Sequence, residues 1–164
     1  MAHYRESIRD YEILNLEDFK FQSGITLPNI KLAYKTYGKL NNEADNAILL
    51  LHGISGTHES MVSVLTEGKE RAISPQKHFI IAPNMFGNGL SSSPSNTPPP
   101  FDGADFPPVT IYDNIRAQHK LVTEELGISK LRLIVGASMG GLQSLHWAAM
   151  YPDVVENVVP ICAT

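Results

Sequence analysis

The run Leu131-Arg132-Leu133-Ile134-Val135-Gly136-Ala137-Ser138-Met139-Gly140-Gly141 limits what this chain can fold into more than any other part of it. An apolar β-type stretch ends in Gly-x-Ser-x-Gly, and a helix-compatible stretch begins at once. A serine so placed sits on a sharp strand-to-helix turn with its hydroxyl exposed. Gly136 and Gly140 permit a turn too tight for side chains. The helix opening at Met139 aims free N–H groups and its positive dipole end at the same point. These are the needs of a nucleophile that attacks an acyl carbonyl. Gly-x-Ser-x-Gly alone recurs by chance in glycine-rich sequence; the strand before it and the helix after it make it informative.

The rest of the chain supplies a matching frame. Residues 19–38 read as two strands joined by a turn, the first at 19–22 and the second, at 30–37, alternating in period two up to Gly38. Ala47-Ile48-Leu49-Leu50-Leu51 has no polar face, so it reads as a strand buried on both sides of a parallel sheet. It runs into the glycine-punctuated loop His52-Gly53-Ile54-Ser55-Gly56. Residues 58–71 read as mostly helical, and residues 78–82 as another buried strand, stopped by Pro83.

Residues 84–109 are irregular, because six of the eleven prolines fall within 94–108 and exclude both helix and central strand. A loop of that length, leaving the C-terminal end of a parallel strand, is expected to be functional or disordered. Thr110 and Asp113 have capping-box spacing. The helix they open shows one face at Ile111, Ile115, Gln118, Val122 and Leu126, and Gly127 stops it. Residues 139–150 form a further helix, ended by Tyr151-Pro152, and residues 158–162 a last strand. A strand pair followed by alternating strands and helices defines an α/β protein with a mostly parallel sheet and crossover helices. No repeat or linker divides residues 1–164, so one domain is expected.

The formal net charge is -4, with both signs spread along the chain. A nucleic-acid surface would show a basic excess, so no nucleic-acid partner is expected. The first ten residues are polar, and no apolar stretch reaches the length of a membrane span. The expectation is therefore a cytoplasmic protein with no membrane partner. Cys162, the only cysteine, excludes an internal disulfide and reads as a strand packing residue. No metal ligand set is expected.

Together these elements predict an α/β-hydrolase fold with Ser138 on its nucleophile elbow. In that arrangement the Met139 N–H is the first oxyanion donor. The second comes from the loop after an earlier buried strand, here His52-Gly53-Ile54, and the Ile54 N–H is the candidate. Each such donor contributes about 2.7–4 kcal/mol to the transition state.

The chain further resembles the N-terminal half of the homoserine O-acetyltransferase branch of that superfamily. The carriers are Leu32-Ala33-Tyr34-Lys35-Thr36-Tyr37-Gly38, Leu50-Leu51-His52-Gly53-Ile54-Ser55-Gly56, Ala82-Pro83-Asn84, Phe106-Pro107-Pro108-Val109-Thr110-Ile111-Tyr112-Asp113, Arg116-Ala117-Gln118 and Gly136-Ala137-Ser138-Met139-Gly140-Gly141. The resemblance implies transfer of an acetyl group from acetyl-CoA, as co-substrate, to an alcohol acceptor through an acyl-serine at Ser138. No bound cofactor is implied, and the partners are a small-molecule acyl donor and acceptor. Two positions depart from the transferase habit. Where this chain reads His52-Gly53-Ile54-Ser55-Gly56, transferases commonly read His-Ala-Leu-Thr-Gly. Where it reads Gly136-Ala137-Ser138-Met139-Gly140, they commonly read Gly-Gly-Ser-Met-Gly. His-Gly is the habit of ordinary hydrolases, so ester hydrolysis is the alternative.

The resemblance places the triad acid and histidine beyond two further strands and a lid, none of which is expected within 164 residues. The expectation is an incomplete hydrolase fold, a fragment inactive alone. The alternative is a short non-catalytic protein that assembles through its open sheet edge. No histidine here is an evident substitute base. His146 lies about 12 Å along the helix from Ser138 and reads as a helix-face residue. His52 reads as a structural residue orienting the oxyanion loop. His58, His78 and His119 read as surface or structural. Asp153 and Glu156 lie toward the opposite end of the sheet. An unpaired apolar edge at the last strand invites self-association.

Overall fold

The computed structural model describes residues 10–66 and 71–163. Strands β1 (Glu12–Lys20) and β2 (Thr26–Tyr37) pair antiparallel, with Glu12 opposite Tyr34 and Lys20 opposite Thr26. β1 therefore begins well before the strand expected at 19–22, and Phe21 and Gln22 lie beyond its end. The reason is local. Asp18 sits at φ 46° beside Pro28, which has no N–H to donate. Burial then falls at Leu16 and Phe19, three residues apart, and the alternation that marks a strand is broken.

β3 (Ala47–Leu51), β4 (Phe79–Pro83), β5 (Leu133–Ala137) and β6 (Val158–Ile161) complete a six-stranded sheet in the order β1-β2-β4-β3-β5-β6. β2 meets β4 antiparallel, and the pairs β3–β4, β3–β5 and β5–β6 are parallel. All five residues of β3 are buried, as a strand covered on both faces must be. Ile48 and Leu50 pack with Met61 and Val62 of helix α1 (His58–Thr66) on one face. Leu49 and Leu51 join the larger cluster on the other, with Ile115 and Ala117 of helix α2 (Ile111–Lys120) and Trp147 of helix α3 (Met139–Met150). The helix expected at 58–71 is thus seen to Thr66, and residues 67–70 lie outside the described set.

α2 opens as expected. The Thr110 hydroxyl accepts from the Asp113 N–H, and the Asp113 carboxylate accepts from the Thr110 N–H, closing a capping box. Asp113 also accepts from the Gln22 N–H at 2.7 Å, so one buried carboxylate ties the helix start to the turn between β1 and β2. α2 widens into a π-turn at Leu121–Glu125 and stops at Gly127, at φ 64°.

Residues 84–109 contain only a 3-10 turn at Gly103–Asp105, and they are ordered by buried serines. The Ser91 hydroxyl accepts from the Ala33 N–H and donates to the Asn84 carbonyl. The Ser92 N–H and hydroxyl meet the Lys31 carbonyl and N–H respectively. The segment is thereby pinned along β2.

The topology selects the site. β3 has β4 on one side and β5 on the other, so the chain reverses its direction of travel across the sheet there. The crevice outside the carboxyl end of such a strand is where α/β sheets bind ligands. His52 to Ile54 and Ser138 leave the sheet at that end.

Candidate active site

Ser138 joins β5 to α3 at φ 53°, ψ -120° and is exposed. An L-residue there is strained by roughly 1–3 kcal/mol. The surroundings hold it in place. Its N–H donates to the Ile161 carbonyl of β6 at 2.8 Å, and its carbonyl accepts from the Leu142 N–H at 3.1 Å. The flanking glycines are required by contact. A Cβ on Gly136 would strike the Gly140 backbone, and one on Gly140 would strike the Leu51 carbonyl and lie 2.9 Å from the His52 carbonyl oxygen. The elbow is therefore pressed directly against the end of β3. A Cβ on Gly53 would lie 3.6 Å from the Ser138 Cβ, so the loop after β3 runs beside the serine.

Ile54 is 71% exposed. Ile54 and Met139 wall one cleft of about 210 Å³, whose other lining includes Met85, Phe86, Val109 and Ile111. The two residues expected to supply oxyanion donors thus border one apolar cleft, which the irregular segment at 85–88 closes.

His52 is buried, and both of its ring nitrogens are engaged. The Met85 N–H donates to Nε2 at 3.3 Å, and Nδ1 lies 2.7 Å from the Gly53 carbonyl oxygen. Nε2 must accept, so the proton resides on Nδ1 and is donated to Gly53. Burial lowers the pKa of His52; the Gly53 contact opposes that shift, and the neighbouring His58 adds to it. A neutral imidazole with both nitrogens committed holds the loop and has no free position for a serine proton.

His58 is also buried. Its N–H donates to Asn84 Oδ1, and its Nδ1 lies 3.1 Å from Asn84 Nδ2. His78 Nδ1 accepts from the Ser74 N–H. His119 stacks on Tyr151 with ring centroids 3.8 Å apart. His146 is exposed on α3. Among the described residues no histidine or carboxylate hydrogen-bonds the Ser138 hydroxyl. Cys162 departs from its expected role as strand packing. It is exposed, at φ 50°, one residue beyond β6.

Three groups that shape the site escaped the sequence reading. Asn84 joins the α1 start to β2, donating to the Ala33 carbonyl. Asn114 Oδ1 accepts from the Phe86 N–H at 2.8 Å and fixes the cleft wall. Gln143, buried on α3, donates to Met85 Sδ at 3.1 Å. The available signal was an amide on an otherwise apolar helix face, already visible at Gln118.

A serine elbow against a glycine loop, at the reversal point of a parallel sheet, is the arrangement of an α/β-hydrolase scaffold. Residues 46–164 match the model of the alpha/beta hydrolase fold family, and the chain belongs to that family. Its relatives include both esterases and homoserine O-acetyltransferases. It is 42% identical over 154 residues to an ethyl acetate hydrolase of Pseudomonas veronii, covering 94% of this chain and 44% of that protein. It is 40% identical over 158 residues to a homoserine O-acetyltransferase of Methanococcus vannielii, covering 87% of this chain and 32% of that protein. The crystal structure of the acetyl esterase MekB superposes with a TM-score of 0.89 at 40% identity, over 95% of this chain and 45% of that one. The chain spans less than half the length of these relatives.

Proposed function

We propose that this chain is the nucleophile-bearing half of an acetyl-ester hydrolase. Ser138 attacks the ester carbonyl, the alcohol leaves, and an acetyl-serine remains for water to hydrolyse. The N–H groups of Met139 and Ile54 receive the developing oxyanion, and the apolar cleft between them takes a short acyl or alkyl group. The observation that carries the reading is the exposed, strained Ser138 beside Gly53, with Ile54 and Met139 lining one cleft. The general base and its acid partner belong to polypeptide corresponding to the relatives' remaining length, because His52 has no free nitrogen.

Transfer of the acetyl group from acetyl-CoA to homoserine or another alcohol is the second reading, supported by the transferase relatives. Hydrolysis is preferred for two reasons. The loop reads His52-Gly53. The likeness to an acetyl esterase, at TM-score 0.89 and 40% identity, exceeds that to a homoserine O-acetyltransferase of Bacillus anthracis, at 0.76 and 28%.

The test grafts this chain in place of the matching part of the Pseudomonas veronii enzyme. The graft should hydrolyse ethyl acetate, and its Ser138→Ala form should lose activity by about 10⁶-fold, as expected when nucleophile and base act as a unit. A folded graft whose activity is indifferent to Ser138→Ala overturns the proposal. Faster acetyl transfer to added homoserine than to water would select the second reading.

A further inference from the structure

We propose that Gln118 and Gln143 are positioning residues that set the oxyanion loop against the elbow helix, an inference that deepens the acyl-serine reading and rests on it. Three buried polar side chains cross the interface between α2 and α3. Trp147 Nε1–H donates to Gln118 Oε1 at 2.8 Å, Gln118 Nε2 donates to Gln143 Oε1 at 2.8 Å, and Gln143 Nε2 donates to Met85 Sδ at 3.1 Å. Gln118, Gln143 and Trp147 are each at most 1% exposed.

The direction of this chain is forced. An indole nitrogen only donates and a thioether sulfur only accepts, so each amide has one permitted orientation between them. The chain ends at Met85, whose N–H donates to His52 Nε2, while His52 Nδ1 donates to the carbonyl of Gly53, next to Ile54. Gln143 rides on the helix that begins at Met139, one residue after Ser138. The same helix therefore carries one oxyanion donor and, through Gln143, Met85 and His52, braces the loop that carries the other.

Apolar side chains would fill this interface without the cost of burying amides. They would also leave the helix free to settle in neighbouring registers, whereas a hydrogen-bonded chain of fixed polarity has one. The sulfur is a weak acceptor, and its use here directs the amide to one point, the side chain of the residue that grips His52. The 210 Å³ cleft is lined by Met85 as well as by Ile54 and Met139, so a shift of Met85 alters the site from both sides.

The experiment reads the His52 imidazole rather than turnover, so it can fail while Ser138 acylation stands, and the reverse. In the full chain, ¹⁵N NMR at neutral pH should show His52 as the single Nδ1–H tautomer with a protected Met85 amide; an Nε2–H tautomer overturns the proposal. In Gln143→Met the tautomer pattern should become mixed and the Met85 amide should exchange up to about tenfold faster, the factor a lost hydrogen bond supports, while the Trp147 indole N–H resonance stays in place. A folded Gln143→Met protein with unchanged His52 and Met85 signals overturns it, since a merely structural glutamine would lower the melting temperature and leave the imidazole alone. Should that variant not fold, Met85→Leu conserves volume and the N–H but removes the sulfur. It should shift the Gln143 side-chain amide and the His52 nitrogens together, and no shift at His52 counts against the proposal.

Discussion

Ser138 concentrates the conflict between stability and chemistry in one residue. Its φ of 53° suits glycine, so Ser138→Gly should raise the unfolding free energy by about 1 kcal/mol while abolishing Ser138-dependent acylation. Urea denaturation of the chain measures the first effect, and the mass of the graft with the Pseudomonas veronii enzyme after exposure to p-nitrophenyl acetate the second. His52 gives the site a pH dependence of defined sign. Its pKa is lowered on folding, chiefly by burial, so the unfolded chain takes up the proton first as pH falls. The stability that neutral His52 supports is complete above about 6.5 and declines below it, by up to about 1.4 kcal/mol per pH unit. Denaturation midpoints at pH 7.5 and 5.5 should show the loss, and His52→Gln should reduce it, leaving the part contributed by His119, whose pKa burial also lowers. A wild-type midpoint that rises on acidification contradicts this account of His52.

At the scale of elements, α2 depends on a start that does two things at once. Asp113 is fully buried and accepts from Thr110 and from Gln22, so it caps the helix and anchors the first hairpin. Thr110→Ala should cost about 1 kcal/mol, the usual value of an N-cap. Asp113→Ala should cost about 2–4 kcal/mol, because the Gln22 and Thr110 N–H groups lose their acceptor together. Equilibrium unfolding of the two variants checks the order; equal losses would mean that the Gln22 contact contributes nothing. The capping box was legible at 110–113 because its partners are three residues apart. The start of β1 was not, because Asp18 at positive φ interrupts the alternation by which a strand is read.

At the scale of the whole molecule, the described residues leave β1 and β6 as the two edges of the sheet, and the β6 edge is the apolar one. β6 pairs with β5 alone, and Val159 and Ile161 on it are 44% and 38% exposed. The exposed Leu142 and Leu145 of α3 add to the apolar surface. The Ser138 and Ile134 N–H groups reach the carbonyls of Ile161 and Asn157, so alternation turns Pro160, which has no N–H, to the free side. That blunts the edge without removing it. The isolated chain should therefore associate with a second copy as concentration rises, and Val159→Lys should shift it toward monomer in sedimentation velocity. Monomer at every concentration for both proteins would show that Pro160 suffices to protect the edge.

The sequence by itself determined those features whose cause lies within a few residues. Apolar runs at 47–51 and 131–137 specify buried strands, glycines at 136 and 140 specify the elbow, and Thr110 with Asp113 specifies a helix start. Tertiary structure decided the remainder. Leu51 and Gly140 are distant in the chain, yet their backbones touch because β3 lies beside β5, and this contact brings Gly53 to Ser138. Gln143 and Met85 are 58 positions apart, and no local period records their bond. The protonation of His52 depends on an N–H at Met85, 33 positions away. Periodicity and turn chemistry are local, so they report elements. The pairing of buried donors with acceptors follows from how the elements pack, and only the packed molecule contains it.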